Sequence, residues 1–495
     1  MKTVKTFIII LLLSGTGCHN FLDESLQGTF SSATFYKSES DALVAISGVY
    51  NSTAFVNTLN QLWVFGDVAS DDAVKGGLAG DIIDIQSIDD FSYLTTNTCL
   101  ANVWQWYYEG VSRANYVLYY VPAINMDPTL KNRILGEAKF LRAYFYFNLV
   151  TIWGSIPLKL LPPLTPAQTN VAKSSVAAIY AQIIQDLTDA SKVLDKTYSG
   201  TDIGRATKGA AFGLLAKAYL FQQQWTQALT AIDSLDASNV YTLVPVYKNN
   251  FLDSTQNNSE SVFEIEHLAN QVPSEGSYLN QYFSPATYAG YYFNAPVQNF
   301  IDEFEVTGGG VVDPRLDYTV GRAGDNWVNG EPFQASWSPA TGYLNRKNCA
   351  SNHDAPIIGN TGLDYVYMRY SDVLLMKAEA LNETNQGNAA LVPLNLVRQR
   401  ARESYLNDPN LPGYGTIPAG LLPDVTNGGQ DQLRTAIQHE RRVELGFEFH
   451  RYFDLIRWGQ QVAEAALGST GFTWASNQYF KIPQEELDTN TAINQ

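Results

Sequence analysis

The sequence predicts a mostly α fold of stacked antiparallel helix pairs, interrupted by one large, irregular, loop-rich segment suited to binding a ligand. Three observations predict it. Apolar residues recur at three- and four-residue steps in window after window along the chain. Two of those windows alternate small and large side chains on either side of a short polar turn. Residues 276–348 differ: they hold 14 aromatics and 9 glycines in 73 positions but a single lysine, and no helical period persists there. A long irregular stretch inside a compact domain tends to carry function.

The elements follow in order. "MKTVKTFIIILLLSGTGC" begins with Lys2 and Lys5, continues as the apolar run Phe7 to Leu13, and ends in small residues before Cys18. The run is far below the ~20 residues of a membrane span, so residues 1–17 read as a secretory signal peptide. Small residues directly before a cysteine resemble a bacterial lipobox. Gly15, standing where that pattern usually has leucine, departs from it. Cys18 is the expected lipidation site, and residues 18–36 read as a lipid-anchored tether and first turns. Residues 37–495 then form a single domain. "KSESDALVAISGVYN" is a helix by its repeat of Ala42, Ala45, Ile46 and Val49, with Ser38 or Ser40 able to cap it. "DVASDDAVKGGLAGDIIDIQSIDDFSYL" is loop-like and acidic, without the D-x-D-x-D-G pattern of a calcium loop.

"LANVWQWYYEGVSRANYVLYYV" is a second helix, whose Trp104 and Trp106 belong to an aromatic core stripe. "LGEAKFLRAYFYFNLVTIWGSIPL" is a third, stopped by Gly154 and Pro157, and "SSVAAIYAQIIQDLTDASKVL" a fourth. "ATKGAAFGLLAKAYLFQQQWTQALTAIDSL" pairs two helices about a turn near Gln223, as in a tetratricopeptide unit. "SDVLLMKAEALNETNQGNAALVPLNLVRQRA" repeats the scheme with "NETNQGN" as its turn. Between them lies the loop-rich segment, about 240–365. Residues 439–459 are expected to form one further helix, with Glu440, Glu444 and Glu448 stacked along one side and several arginines to answer them.

Composition and motifs exclude several functions. Hydrophobic residues at 45% and charged residues at 16% are globular rather than disordered. A net charge of −17 repels phosphate backbones, so nucleic acid is not an expected partner. Cys99 and Cys349 either form a disulfide or stay as two buried thiols, and no CxxC pair offers a zinc knuckle. In "HERRVELGFEFHRYFDLIRWG" the zincin pattern fails, because Val443 stands where a second histidine is needed. The di-iron pattern fails too, with Phe447 three residues before His450. No G-x-S-x-G elbow is present. The stretch therefore reads as a packed, salt-bridged core helix; no catalytic residue, metal or cofactor is expected.

"HERRVELGFEFHRYFDLIRWG" closely resembles the C-terminal signature of the SusD/RagB outer-membrane lipoproteins of Bacteroidetes. "MRYSDVLLMKAEALNE", "EAKFLRAYFYFNLVTIWGSIPL", "FLDESLQGTFSSATFYKSESDALVAISGVYN" and "FKIPQEELDTN" resemble further motifs of that family, in the same order along nearly the whole chain. The terminus departs from the pattern, stopping at "NTAINQ" without a short Gly-containing tail. The resemblance implies a surface-exposed, lipid-anchored outer-membrane protein that captures oligosaccharides and delivers them to a TonB-dependent SusC-type transporter, without being an enzyme. It also implies a structural role for Arg369, Asp372, Glu379, Glu440, Arg441, Glu444, Arg451, Asp454 and Arg457.

The family's ligand contacts vary and lie outside its motifs, so the binding residues come from chemistry alone. Sugars present apolar C–H faces and hydroxyl rims, which flat aromatics and Asp, Asn or Arg side chains respectively cover. Tyr288, Tyr291, Tyr292, Trp327 and Trp337 are the stacking candidates. Asn294, Arg322, Asp325 and Asn326 are candidates for the hydroxyls, with Asp81, Asp84 and Tyr93 contributed by the earlier acidic loop. Three other functions remain to be distinguished. A glycoside hydrolase would need a marked pair of carboxyls across a cleft. A binder of another nutrient, such as peptides, would bind no glycan. A pure interaction scaffold would leave the aromatic loops without a role.

Overall fold

The computed structural model describes residues 35–56, 59–165, 168–271, 274–350 and 359–493. The expected signal peptide, Cys18 and nearly all of the tether lie outside the described residues. The architecture is mostly helical, with 52% of residues in helices and a few short strands. Helix α1 (Glu39–Asn51) starts at Ser38, which forms a capping box with Asp41. Helices α2 (Thr98–Tyr120), α3 (Pro128–Trp153) and α4 (Val176–Val193) start at Asn97, Asp127 and Ser175, whose side chains accept from backbone N–H groups of the first turn. α3 is buried on every face from Phe140 to Trp153, as befits a helix surrounded by others.

The two expected pairs are present: α5 (Lys208–Phe221) with α6 (Trp225–Asp236), and α7 (Tyr370–Glu383) with α8 (Gly387–Arg402). Their turns pivot on Gln223 and Asn385, both left-handed. Buried Ala211, Ala216, Ala218 and Ala228 let α5 and α6 approach closely. From α1 to α7 each helix packs on the next, and α7 also packs on α8 and on α9 (Gln430–Leu445). No helix of the described residues is long and apolar enough to cross a membrane.

The expectation of one continuous helix over 439–459 is corrected. α9 ends at Leu445, and α10 (Arg451–Trp458) starts after five intervening residues. Phe447 and Phe449 between them are left-handed, at φ 62° and 64°. Such residues are strained, and here the surroundings fix them. The buried hydroxyls of Tyr247 and Tyr365 donate to the carbonyls of Glu444 and Glu448 at 2.6 and 2.9 Å. Asn348 donates to that of Phe447 at 3.1 Å. Side chains from the loop-rich segment and β4 thus satisfy carbonyls that the helix end leaves open.

Two antiparallel ladders tie the irregular segment to this frame. β1 (Ala73–Gly76) pairs with β3 (Phe293–Pro296), and β2 (Ser261–Ile265) with β4 (Tyr365–Arg369), which runs straight into α7. At that joint lies a fully buried ion network. Arg369 donates to Glu448 at 2.8 and 2.9 Å and to Glu260 at 2.8 Å, and also pairs with Glu444. Arg400 and Arg315 meet Glu444 from other sides, and Glu440 takes Arg315 and Arg398. Burial opposes the charge on Glu444, but Arg400, Arg369 and Arg315 outweigh it and hold the carboxyl well below the usual range. A second buried network links Asp372, Arg441, Asp454, Arg457 and Glu379. Arg451 pairs with Asp71 at 2.7 Å. All nine residues assigned a structural role therefore take part in ion pairs, and seven of them are buried, Arg451 and Arg457 being partly exposed.

Candidate functional site

Three loops converge beside the β1–β3 ladder. The first leaves β1 through Gly76 and Gly77. Both have positive φ, and a Cβ at Gly77 would lie 2.3 Å from the Phe293 ring, so only glycine fits. The Gly77 amide donates to the Tyr292 carbonyl at 3.0 Å, which joins this loop to the second. The second, 284–294, is wound tightly: Tyr291 N donates to Gln281 O at 2.8 Å and Tyr292 N to Ser284 O at 3.0 Å. A Cβ at Gly290 would overlap the Ser284 carbonyl at 1.9 Å. Tyr292 and Asn294 are left-handed. Asn294 Nδ2 is anchored on Asp67 Oδ2 at 2.9 Å. The third loop, 321–345, is closed by Trp327 N donating to Glu331 O at 2.7 Å and Phe333 N to Asp325 O at 2.9 Å.

The sequence-predicted residues divide into two groups. Tyr291 is 38% exposed, and Tyr288 and Trp337 are partly exposed. The Tyr288 and Trp337 rings meet edge to face, centroids 5.5 Å apart. The Tyr288 hydroxyl donates to Glu331 Oε2 at 2.5 Å, bridging the second and third loops. Asn326 is exposed in the third loop's turn. Arg322 and Asp325 are partly exposed and form an ion pair at 3.0 Å, and Arg322 also pairs with Asp317. Asp81 is partly exposed near Tyr292, in the turn it closes with Leu78.

The rest are corrected to packing roles. Trp327, 2% exposed, packs on Phe333, and its ring fills the space beside Gly321. Tyr292 is 7% exposed and Asn294 0%, because the tight second loop turns both inward. Tyr93, 1% exposed, packs against Phe480 beneath Lys481. Asp84, partly exposed, accepts from Thr98 N at 2.9 Å and so holds the first turn of α2. Burial here follows from tertiary packing, which short-range aromatic spacing does not encode.

Sequence reasoning passed over Tyr278, Glu331 and the exposed apolar trio Leu78, Ile82 and Ile83. Burial and the neighbouring Tyr291 hydroxyl push the Tyr278 phenol up to about 12. Tyr278 lies inside the aromatic-rich segment, so the signal for it was present. Nothing local marked Ile82, a β-branched residue at φ 35°. A cavity of about 560 Å³ borders the third loop at Tyr318, Val328 and Arg346. The exposed rings are not among its walls. Tyr288 and Trp337 meet outside it, and Tyr291 is exposed on the same second loop as Tyr288.

Elsewhere, carboxylate oxygens of Glu264, Glu266 and Asp364 lie within 4.8 Å of one another and could hold a cation. Burial pushes Glu264 up to about 7; burial and the two glutamates push Asp364 up to about 10. His267 and His450 are kept neutral, His267 by burial at about 4 and His450 by burial and Lys217 at about 3. Cys99 and Cys349 are both free thiols.

Comparison with known proteins agrees with this architecture. Residues 259–495 match the family described as SusD family, and residues 20–220 the one described as starch-binding associating with outer membrane. SusD-like protein P2 of Formosa agariphila is 28% identical over 484 residues, covering 92% of this chain and 91% of its own. A solved laminarin-binding SusD-like protein is 28% identical with a TM-score of 0.76, covering 92% of this chain and 99% of its own. A SusD superfamily protein from Bacteroides vulgatus is 26% identical with a TM-score of 0.78, covering 93% and 99%. With two matches that together take in both the helical frame and its C-terminal ion-paired signature, the chain belongs to the SusD/RagB family.

Proposed function

We propose that this protein binds oligosaccharides or polysaccharides on the three-loop platform and delivers them to a TonB-dependent SusC-type outer-membrane transporter. Lipid on Cys18 anchors it at the cell surface, after removal of residues 1–17 and through a tether over 18–36. Residues 37–495 act as one domain. The observation that carries the reading is the pair Tyr288 and Trp337, edge to face with Tyr288 held on Glu331, together with the exposed Tyr291 on the same loop as Tyr288, beside polar side chains. Rigid rings cover a sugar's C–H face without losing much freedom, and the adjacent Asn326, Asp325 and Arg322 meet its hydroxyls. The laminarin-binding relative supports the ligand class, and the outer-membrane description of the matched family supports the location.

The one three-carboxylate cluster of the described residues is not spaced as a glycosidase pair. The Glu264, Glu266 and Asp364 oxygens are closer together than the roughly 5–5.5 Å or 6.5–9.5 Å that glycoside hydrolysis uses. Affinity electrophoresis on a polysaccharide panel tests the reading: retardation in at least one neutral glycan, with no release of reducing sugar, is expected. Retardation by none, with binding of peptides instead, would overturn it.

A further inference from the structure

We propose that the platform selects uncharged glycans and rejects those bearing carboxylate or sulfate groups. This rests on the glycan-binding reading above and adds to it the chemical class of the ligand. Residues 276–348 contain seven carboxylates, Asp302, Glu303, Glu305, Asp313, Asp317, Asp325 and Glu331, against four basic residues.

Each of those four is already engaged. Arg315 is fully buried with Asp313, Glu440 and Glu444, and Lys347 is buried on Glu448 at 2.8 Å. Arg322 is held between Asp317 and Asp325, and Arg346 donates to the Asp317 carbonyl at 2.7 Å. In the acidic loop, residues 71–94, the one basic residue is Lys75. It is 2% exposed and its Nζ donates to the Leu78 carbonyl at 2.8 Å. Among the described residues of these segments, every cation is therefore tied to an acceptor of the protein itself. The carboxylates are less fully matched: Arg442 and Arg398 answer Glu303 and Glu305, but Glu331 is exposed beside the rings, bonded there to the neutral Tyr288 hydroxyl, and Asp81 lies near Tyr292.

An acidic sugar arriving here meets negative potential; the one arginine of these segments without a carboxylate ion pair, Arg346, is held through Nη1 and lines the cavity whose walls exclude the exposed rings. A neutral sugar needs only ring faces and hydroxyl partners, and a carboxylate such as Glu331 accepts well from a sugar hydroxyl. The chain's net charge of −17 adds a long-range term of the same sign.

The test is calorimetric titration of the full chain with neutral polysaccharides (starch, laminarin, galactomannan, xylan) and acidic ones (polygalacturonate, alginate, carrageenan). The best-bound neutral glycan is then compared with its own carboxymethyl derivative at low and high salt. The expected result is neutral binding insensitive to salt, with the derivative about tenfold weaker at low salt and the gap closing as salt screens the repulsion. In the double variant Asp317→Asn, Asp325→Asn, which frees Arg322, the ratio of derivative to parent affinity should rise about tenfold. Acidic glycans bound as tightly as neutral ones at low salt would overturn the selectivity and leave glycan binding standing. Binding of no glycan in either set would overturn both.

Discussion

Asn294 donates its side-chain amide to Asp67 Oδ2 at 2.9 Å, while Asp67 Oδ1 accepts from the amide of Phe449 at 3.1 Å. One buried carboxyl thus ties the platform's second loop to the break between α9 and α10. The ion-paired signature and the proposed ligand loops meet at this side chain, which links the frame to the geometry of the rings.

Replacing Asp67 with alanine leaves the Asn294 amide and the Phe449 amide without partners. The expected loss is about 3 kcal/mol from two unsatisfied buried donors, read from urea midpoints, with weaker glycan binding in the surviving folded protein. An unchanged midpoint would contradict the linkage.

The same carboxyl has a pH signature. Burial pushes the Asp67 carboxyl up to about 8, well above the ordinary carboxylate range. Its folded pKa is raised, so its contribution is fully present below about pH 4 and is lost as pH rises through about 8. Asp67→Asn removes that titration. Relative to wild type, the variant should gain stability between pH 5 and pH 9. A stability difference constant across that range would show that the group does not titrate there.

Arg369 is the hub of the buried network. Arg369→Met leaves Glu444, Glu448 and Glu260 short of a partner and should cost about 3–5 kcal/mol. Arg369→Lys should recover little of that, since an ammonium cannot reproduce the fork that meets three carboxylates. Thermal melts of both variants decide it; full recovery by lysine would mean that charge alone suffices.

The two tryptophans of the third loop should behave oppositely. Trp327→Ala empties a packed site and should lower stability by about 3–5 kcal/mol. Trp337→Ala removes a partly exposed ring and should change stability by less than about 1 kcal/mol while weakening glycan binding. Equal effects of the two on stability would contradict the assignment of one to packing and the other to the platform.

Cys99 and Cys349 are buried thiols, and burial pushes Cys349 up to about 12. Neither should react with iodoacetamide until the protein unfolds, and a reductant should leave the melting temperature unchanged. A drop in melting temperature on reduction would reveal a bond between them.

The frame was legible in the sequence for a simple reason: helix periodicity, capping residues and small-residue packing are local. Ser38 as a cap, the Gln223 turn and the Gly154 stop all stand where spacing put them. The break at 446–450 was not legible, because partners distant in the chain, Asp67, Tyr247 and Tyr365, hold it open. The platform was half legible. Aromatic enrichment located the segment and named Tyr288, Tyr291 and Trp337. Which rings turn inward depends on left-handed positions such as Tyr292 and on the void beside Gly321 that Trp327 fills. Those are long-range facts with no short-range signature.

The most direct measurement is calorimetry of wild type and of the double variant Tyr291→Ala, Trp337→Ala against a neutral polysaccharide that the wild type binds, with melting temperatures taken in parallel. The account predicts matched melting temperatures and an affinity at least about tenfold weaker in the variant. Equal affinities in two equally folded proteins would show that the sugar is gripped elsewhere.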